Sequence, residues 1–171
     1  WATNFTADLT IMEEGSELLL RIAKAGVLQR EALPVTVKDE VYDHVHATLP
    51  QFTSCSPGWV KFCETFYPDL LGHMSSAKSP QQMFGAVAKT YAAKDMGKEA
   101  KDVVVVSIMP CTANKYECAR EALTDAADYW KNAKYRDVDV LLTPHEAARP
   151  LTAPQIALTA LDAHESDPLV G

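Results

Sequence analysis

The chain has 171 residues, 47% of them hydrophobic and 23% charged, with a net charge of -7. That is the composition of an ordinary folded domain. Its acidity excludes a nucleic-acid surface, which needs clustered Lys and Arg, and offers nothing to anionic lipid.

In chain order, 7–26 reads as a helix: Ile11, Met12, Leu18, Leu19 and Ile22 recur at helical spacing and are expected to face the core, with Gly26 as the stop. Residues 27–49 are more polar and read as a peripheral insertion holding a short helix. Within it "KDEVYDHVH" (38–46) offers Asp43, His44 and His46 as a candidate metal cluster, or simply as a solvated polar stretch. A weak strand is expected at 49–55. Stronger strands are expected at 103–110, a β-branched run short enough to be a strand buried on both faces, and at 137–144. Helices are predicted over 57–66, 80–96 and 144–150. Each starts with a hydroxyl at N-cap and proline at the first position: Ser56-Pro57, Ser79-Pro80 and Thr143-Pro144. Gln82 and Glu146 fit capping boxes for the last two. Strand, short loop and helix in alternation predict an α/β fold, with 103–108 and 137–142 paired in a mainly parallel sheet. Ligands of such sheets bind at the carboxyl ends of strands.

No apolar run reaches the roughly 20 residues of a membrane span, and no signal peptide is visible. The chain starts at Trp1 without an initiator methionine and reads as a piece of a longer protein. Its four cysteines, Cys55, Cys63, Cys111 and Cys118, lack zinc-type spacing and are too few for a disulfide framework. Cys63 and Cys118 read as buried apolar thiols. Cys55 and Cys111 fall at strand ends. Cys55, one residue before an N-cap, suits either a reactive thiol, since the helix end favours a thiolate, or a turn cysteine. Cys111, before a possible N-cap at Thr112, suits a soft metal. Glu14, Glu17 and Arg21 lie near one face of the first helix, as a proton relay or as a solvated salt-bridged face.

Two stretches, TSCSPGW (53–59) and MPCTANKYE (109–117), resemble the first two signature motifs of the iron-iron hydrogenases, TSCCPxW and MPCxxKxxE. Further segments resemble that family in the same order, including "SSAKSPQQMFGAVAKTY" (75–91) and "RDVDVLLTPHEAA" (136–148). The resemblance implies one lobe of the domain that holds the H-cluster, a 4Fe–4S cluster bridged by cysteine to a two-iron site. It implies reversible reduction of protons to hydrogen, a ferredoxin-type electron carrier, maturation proteins, and a cytoplasmic or anaerobic compartment. By residue, it implies that Cys55 passes protons, followed by Ser75, Glu14 and Glu17 toward Arg21. Cys111 matches a cluster ligand, Met109 a residue packed against the two-iron site, and Glu117 the last residue of the second motif.

Three departures stand out. Ser56 replaces a cluster cysteine and reads as a helix cap. Asn114 replaces a lysine that hydrogen-bonds a cyanide ligand. The third motif, with two more cysteines, is expected beyond residue 171. The chain alone is expected to be inactive. A non-catalytic relative, a hydrogen sensor or a cytosolic iron–sulfur assembly protein, is the second reading. In those relatives the residue matching Cys55 changes and the ligand stays. A metal-free binding module is the third, and would bury Cys111 in apolar packing.

Overall fold

The computed structural model describes residues 3–26, 46–152 and 160–162. They divide into two units, Ala7–Pro80 and Trp1–Thr6 with Gln81–Gly171. Asp43 and His44 lie outside the described residues, while His46 is exposed.

The first unit holds most of helix α1 (Thr3–Lys24). The expected apolar stripe does not face inward: Ile11 and Met12 are 65% and 66% exposed, and Leu18 is exposed as well. The buried positions are Thr10, Glu17, Leu20 and Arg21. Hydrogen bonding sets this rotation of the helix. Arg21 and Glu17 collect backbone groups of the loops around them, and a buried charge needs such partners more than an isoleucine needs burial. The solvated-face alternative for these residues is therefore overturned.

Helix α2 (Pro57–Phe66) starts with proline at its first position, where the missing N–H is no loss. Pro57 and Cys63 are buried, while Trp59, Phe62, Phe66 and Tyr67 form an exposed run of ring contacts. A 3-10 turn over Pro68–His73 leads to Met74. The weak strand at 49–55 reduces to one parallel bridge, Phe52 to Met74. It is held by Phe52 N–H to the His73 carbonyl and Ser75 N–H to the Phe52 carbonyl, each 2.7 Å.

In the second unit, helix α3 (Pro80–Val87) runs through a π turn (Ala88–Ala92) into α4 (Ala93–Asp95). Strand β1 (Val106–Ile108) pairs in parallel with β2 (Val140–Leu142), with Val106 opposite Val140 and Ile108 opposite Leu142. Helices α5 (Ala113–Cys118) and α6 (Asp125–Trp130) lie between the strands in sequence, and α7 (Pro144–Thr152) follows β2. The fold is α/β, helices with a small parallel sheet. The strands are shorter than the apolar runs that announced them, and only one face is buried. Val105, Ser107 and Leu141 point inward, whereas Val104, Val106, Ile108 and Val140 are exposed.

Ala88, Val105 and Val138 form the core of this unit, flanked by Phe84, Val103 and Cys118. Two devices join its helix to its strands. Lys89, 2% exposed, donates to Asp139 and to the Arg136 carbonyl, each at 2.6 Å. The other oxygen of Asp139 accepts the Val105 N–H at 2.8 Å, so one carboxylate ties the helix to both strand approaches. Gly85 is the second device. A Cβ there would stand 2.5 Å from the Asp137 carbonyl oxygen, which is backbone and cannot swing away. Gly85→Ala is therefore expected to cost about 1–3 kcal/mol. Urea unfolding measures it, and an unchanged midpoint would contradict this close approach.

Candidate active site

In the first unit the chemistry gathers around Glu17. Its Oε1 accepts Arg21 Nε at 2.9 Å and Nη2 at 2.6 Å. Its Oε2 accepts the Ser75 hydroxyl and the Ser76 N–H, each at 2.9 Å, and the Ser76 hydroxyl at 3.0 Å. Arg21 also donates to the carbonyls of Thr48 and Gly72 through Nη1 and to that of Met74 through Nη2. Each of its three nitrogens is thus engaged, and it is buried. A guanidinium offers hydrogen-bond donors and no acceptor. Arg21 therefore holds Glu17 in place instead of passing a proton onward. Burial raises the Glu17 carboxyl, but the Arg21 guanidinium, the Ser76 N–H and the Ser75 and Ser76 hydroxyls outweigh it and leave the group below its ordinary value.

Glu14, one turn earlier, directs Oε1 to the Ser54 N–H at 3.1 Å. The backbone carbonyl of Glu14 accepts the Gln51 side chain at 3.0 Å. Helix α1 is thereby attached to the 53–56 loop at the residue before Cys55. Ser54 Oγ donates to the Ala77 carbonyl at 2.8 Å and joins the same loop to the Ser75 segment. The Cys55 thiol is exposed. Ser56, at the N-cap position with extended backbone (φ -101, ψ 110), makes no side-chain capping bond. The expectation that its hydroxyl caps α2 is thus corrected: the side chain makes no bond to the free N–H groups of the first turn, and the residue stays exposed.

The second unit carries the other motif. Met109 N–H donates to the Leu142 carbonyl at 3.0 Å and continues the ladder past the end of β1. Met109 is half-buried, and Cys111 follows as an exposed thiol. That placement, at the carboxyl end of a strand and unsealed, argues against the reading that buries Cys111 in apolar packing. Thr112 stands before α5 but makes no side-chain capping bond, so that expected cap is absent too. Behind the loop lies a polar cluster. Glu117 Oε2 accepts Gln81 Nε2 at 2.7 Å and Asn114 Nδ2 at 3.1 Å. Gln81 Oε1 accepts the Ser107 hydroxyl at 2.9 Å. All four residues are buried. Asn114 thus turns its amide toward Glu117. Lys115, the neighbouring lysine, pairs with Glu146. This contact comes first among the causes that hold the Glu146 carboxyl down to about 2. Glu146 also completes the predicted capping box with Thr143. Gln82, read as a box residue, reaches the Cys118 sulfur through Nε2. Burial, and then the charge of Glu117, push the Cys118 thiol up, so it stays protonated.

Sequence reasoning passed over Ser54, Ser76, Gln81 and Ser107. The available signal was a polar residue where the apolar pattern turns inward: Ser107 interrupts the valine run, and Gln81 opens a helix that packs on it. Among the described residues, no three His, Cys, Asp or Glu side chains converge as a metal cage. No described helix is long and apolar enough to cross a membrane.

The two motif loops, at the start of α2 and at the end of β1, belong to a defined class. The chain is a member of the iron only hydrogenase large subunit, C-terminal domain family, whose model matches residues 1–171. It is 43% identical over 171 residues to the periplasmic Fe hydrogenase large subunit of Nitratidesulfovibrio vulgaris, covering 100% of this chain and 34% of that protein. It is 38% identical over 128 residues to the cytosolic Fe-S cluster assembly factor nar1 of Emericella nidulans, covering 68% of this chain and 21% of that protein. A variant of the apo FeFe-hydrogenase HydA1 from Chlamydomonas reinhardtii superposes with a TM-score of 0.77 at 40% identity, over 99% of this chain and 36% of that one. The chain therefore spans about a third, or less, of the length of these relatives.

Glu17 gives a test of the first unit. Its folded carboxyl lies below the unfolded value. Its contribution to stability is thus complete above the ordinary Glu pKa of about 4.3, and fades as pH falls through the lower folded value. Glu17→Gln removes that contribution. The dependence of stability on pH below about 4.3 is expected to become shallower, as read from urea midpoints across the acid range. An unchanged slope would contradict the network.

Proposed function

We propose that this chain is part of the catalytic domain of an iron-only hydrogenase, which reduces protons to hydrogen, and oxidises hydrogen, at an H-cluster in the complete polypeptide. A ferredoxin-type carrier is the electron partner and maturation proteins supply the two-iron site. When bound, the cluster provides the electrons and the iron at which hydrogen forms. The residues of this chain do the remaining work. Cys111 would hold the cluster through its thiolate, a soft donor suited to iron–sulfur iron. Met109 would line the cluster's site. Cys55 would give and take a proton at its thiol, with Glu14, Ser75 and Glu17 as the residues that carry it onward. Asn114 occupies the position of the family's lysine without its charge, and its buried amide donates to Glu117. This chain by itself is inactive, because it supplies only part of the ligand set.

The observation that carries the reading is the Ser75 hydroxyl on the Glu17 carboxylate at 2.9 Å, in a unit where Glu14 is fixed to the loop of an exposed Cys55. Proton transfer needs donors and acceptors within hydrogen-bond reach, and a buried hydroxyl–carboxylate pair supplies one such link. The likeness to a fungal assembly factor favours a second, non-catalytic reading. Retention of Cys55 with loss of the cysteine at Ser56 runs opposite to what that reading implies.

The experiment uses the natural polypeptide that carries this sequence, matured in vivo and supplied with a reduced artificial electron donor. Cys55→Ala, Ser75→Ala and Glu17→Gln are each expected to lower hydrogen evolution by about 10²–10⁴-fold at unchanged iron content. Full rates in all three variants would sink the relay. A fully matured parent that evolves no hydrogen would support the assembly or sensing reading instead.

A further inference from the structure

We infer that Ser76 is the point where protons pass between the buried Glu17 carboxylate and solvent; the inference rests on the proton relay proposed above. The groups assigned to that relay around Glu17 give it no outlet. Glu17 is 1% exposed, Arg21 3% and Ser75 6%. A proton at Glu17 therefore needs a further group that exchanges protons and also reaches water.

The partners of Glu17 decide which group that is. Among the described residues, Oε1 meets the Arg21 guanidinium, which has donors and no acceptor. The other bonds of Arg21 end on the backbone carbonyls of Thr48, Gly72 and Met74, which hold no proton to pass on. Oε2 meets the Ser75 hydroxyl, the Ser76 N–H and the Ser76 hydroxyl. The Ser75 hydroxyl is buried and itself accepts the Ala77 N–H at 3.1 Å, so it lies on the inner side. A backbone N–H accepts no proton. The Ser76 hydroxyl is left. It stands 3.0 Å from Oε2, and Ser76 is an exposed residue. A serine hydroxyl rotates and serves as donor or acceptor. It can therefore face the carboxylate and the solvent in turn, while the Ser76 N–H holds the carboxylate in place.

The step balances without electrons. Inward, an O–H bond of hydronium breaks and its proton joins Ser76 Oγ. The original Oγ–H bond breaks at the same time, and that proton joins Glu17 Oε2. Outward, the same bonds change in reverse. Because both transfers occur together, the serine never carries a charge. One proton and the neutralisation of one carboxylate are the whole change.

The test separates the hydroxyl from the shape of the side chain. Ser76→Thr keeps the hydroxyl and Ser76→Val puts a methyl group in its place, so the two variants differ in that group alone. Position 76 is exposed, so valine does not disturb a core. Proton uptake is read first, in the natural polypeptide prepared without its cluster. The readout is the infrared absorption of the protonated carboxyl after rapid acidification, assigned to Glu17 by its loss in Glu17→Gln. Uptake in Ser76→Val is expected to be about 10²-fold slower than in wild type, with Ser76→Thr close to wild type. A purely electrostatic role gives a different result. The Ser76 hydroxyl helps to lower the Glu17 carboxyl, so its loss alone favours protonation and does not slow it. Hydrogen evolution is read second, in the matured polypeptide with an artificial electron donor at equal iron content. It is expected to fall by a similar factor in Ser76→Val and to be retained in Ser76→Thr. Equal uptake rates in the two variants would overturn the inference. So would equal hydrogen evolution, which leaves the hydrogenase reading intact. A matured wild type that evolves no hydrogen would sink that reading, while the infrared rates still decide whether Ser76 serves Glu17.

Discussion

The Arg21–Glu17 ion pair organises the first unit. Two charges taken out of water cost several kcal/mol each, and their attraction offsets this only when the remaining donors and acceptors are filled. Here they are filled. Arg21 places its guanidinium against one Glu17 oxygen and three backbone carbonyls, and the second Glu17 oxygen takes three donors from Ser75 and Ser76. The partners come from α1, Thr48 and the 72–76 segment. One pair therefore fixes the helix and the loop that carries Ser75. The Glu14 side chain then ties α1 to the cysteine loop. The buried ion pair ties the helix to its neighbouring loops, which explains why α1 turns a charged face inward and leaves Ile11 and Met12 outside.

The second unit solves a similar problem with fewer charges. Glu117 is buried and is held by the amides of Gln81 and Asn114. In the resembling motif a lysine stands at position 114. Asparagine keeps a donor there while removing a cation, and the Gln81 bond at 2.7 Å contributes the second donor. A buried lysine of the unit, Lys89, pairs elsewhere with Asp139 and ties a π turn to the strand approaches. Buried polar networks of this kind are costly when half-made and rigid when complete. The network lies behind the loop that carries the exposed Cys111 thiol.

Much of this was legible in the sequence, because it depends on local rules. Proline after a hydroxyl residue marked the starts of α2, α3 and α7, and β-branched runs marked β1 and β2. Their parallel pairing follows from a helical crossover between them. The features that escaped are those decided by distant partners. Hydrophobic periodicity gave α1 the wrong inner face, because the pattern weighs apolar side chains and does not see carbonyls brought from Gly72 and Met74. A hydroxyl before proline reads as a cap, yet neither Ser56 nor Thr112 makes the bond. Ser107 and Gln81 are ordinary residues in sequence and become a linked pair only when β1 and α3 are packed together.

The site residues were found by motif, and the structure places them in different surroundings. Ser75, Glu17 and Arg21 are brought into contact, Glu14 is fixed beside Cys55, and Cys111 emerges at a strand end as a free thiol. Asn114 and Ser56 are departures whose side chains now have definite surroundings, one bonded to Glu117 and the other exposed. The central claim is that these loops belong to a domain that carries an H-cluster. Infrared spectroscopy of the natural polypeptide, matured in vivo, tests it most directly. The account predicts sharp stretching bands of carbon monoxide and cyanide bound to iron, lost when Cys111 is replaced by alanine. A polypeptide that binds iron and sulfide but shows no such bands would contradict it.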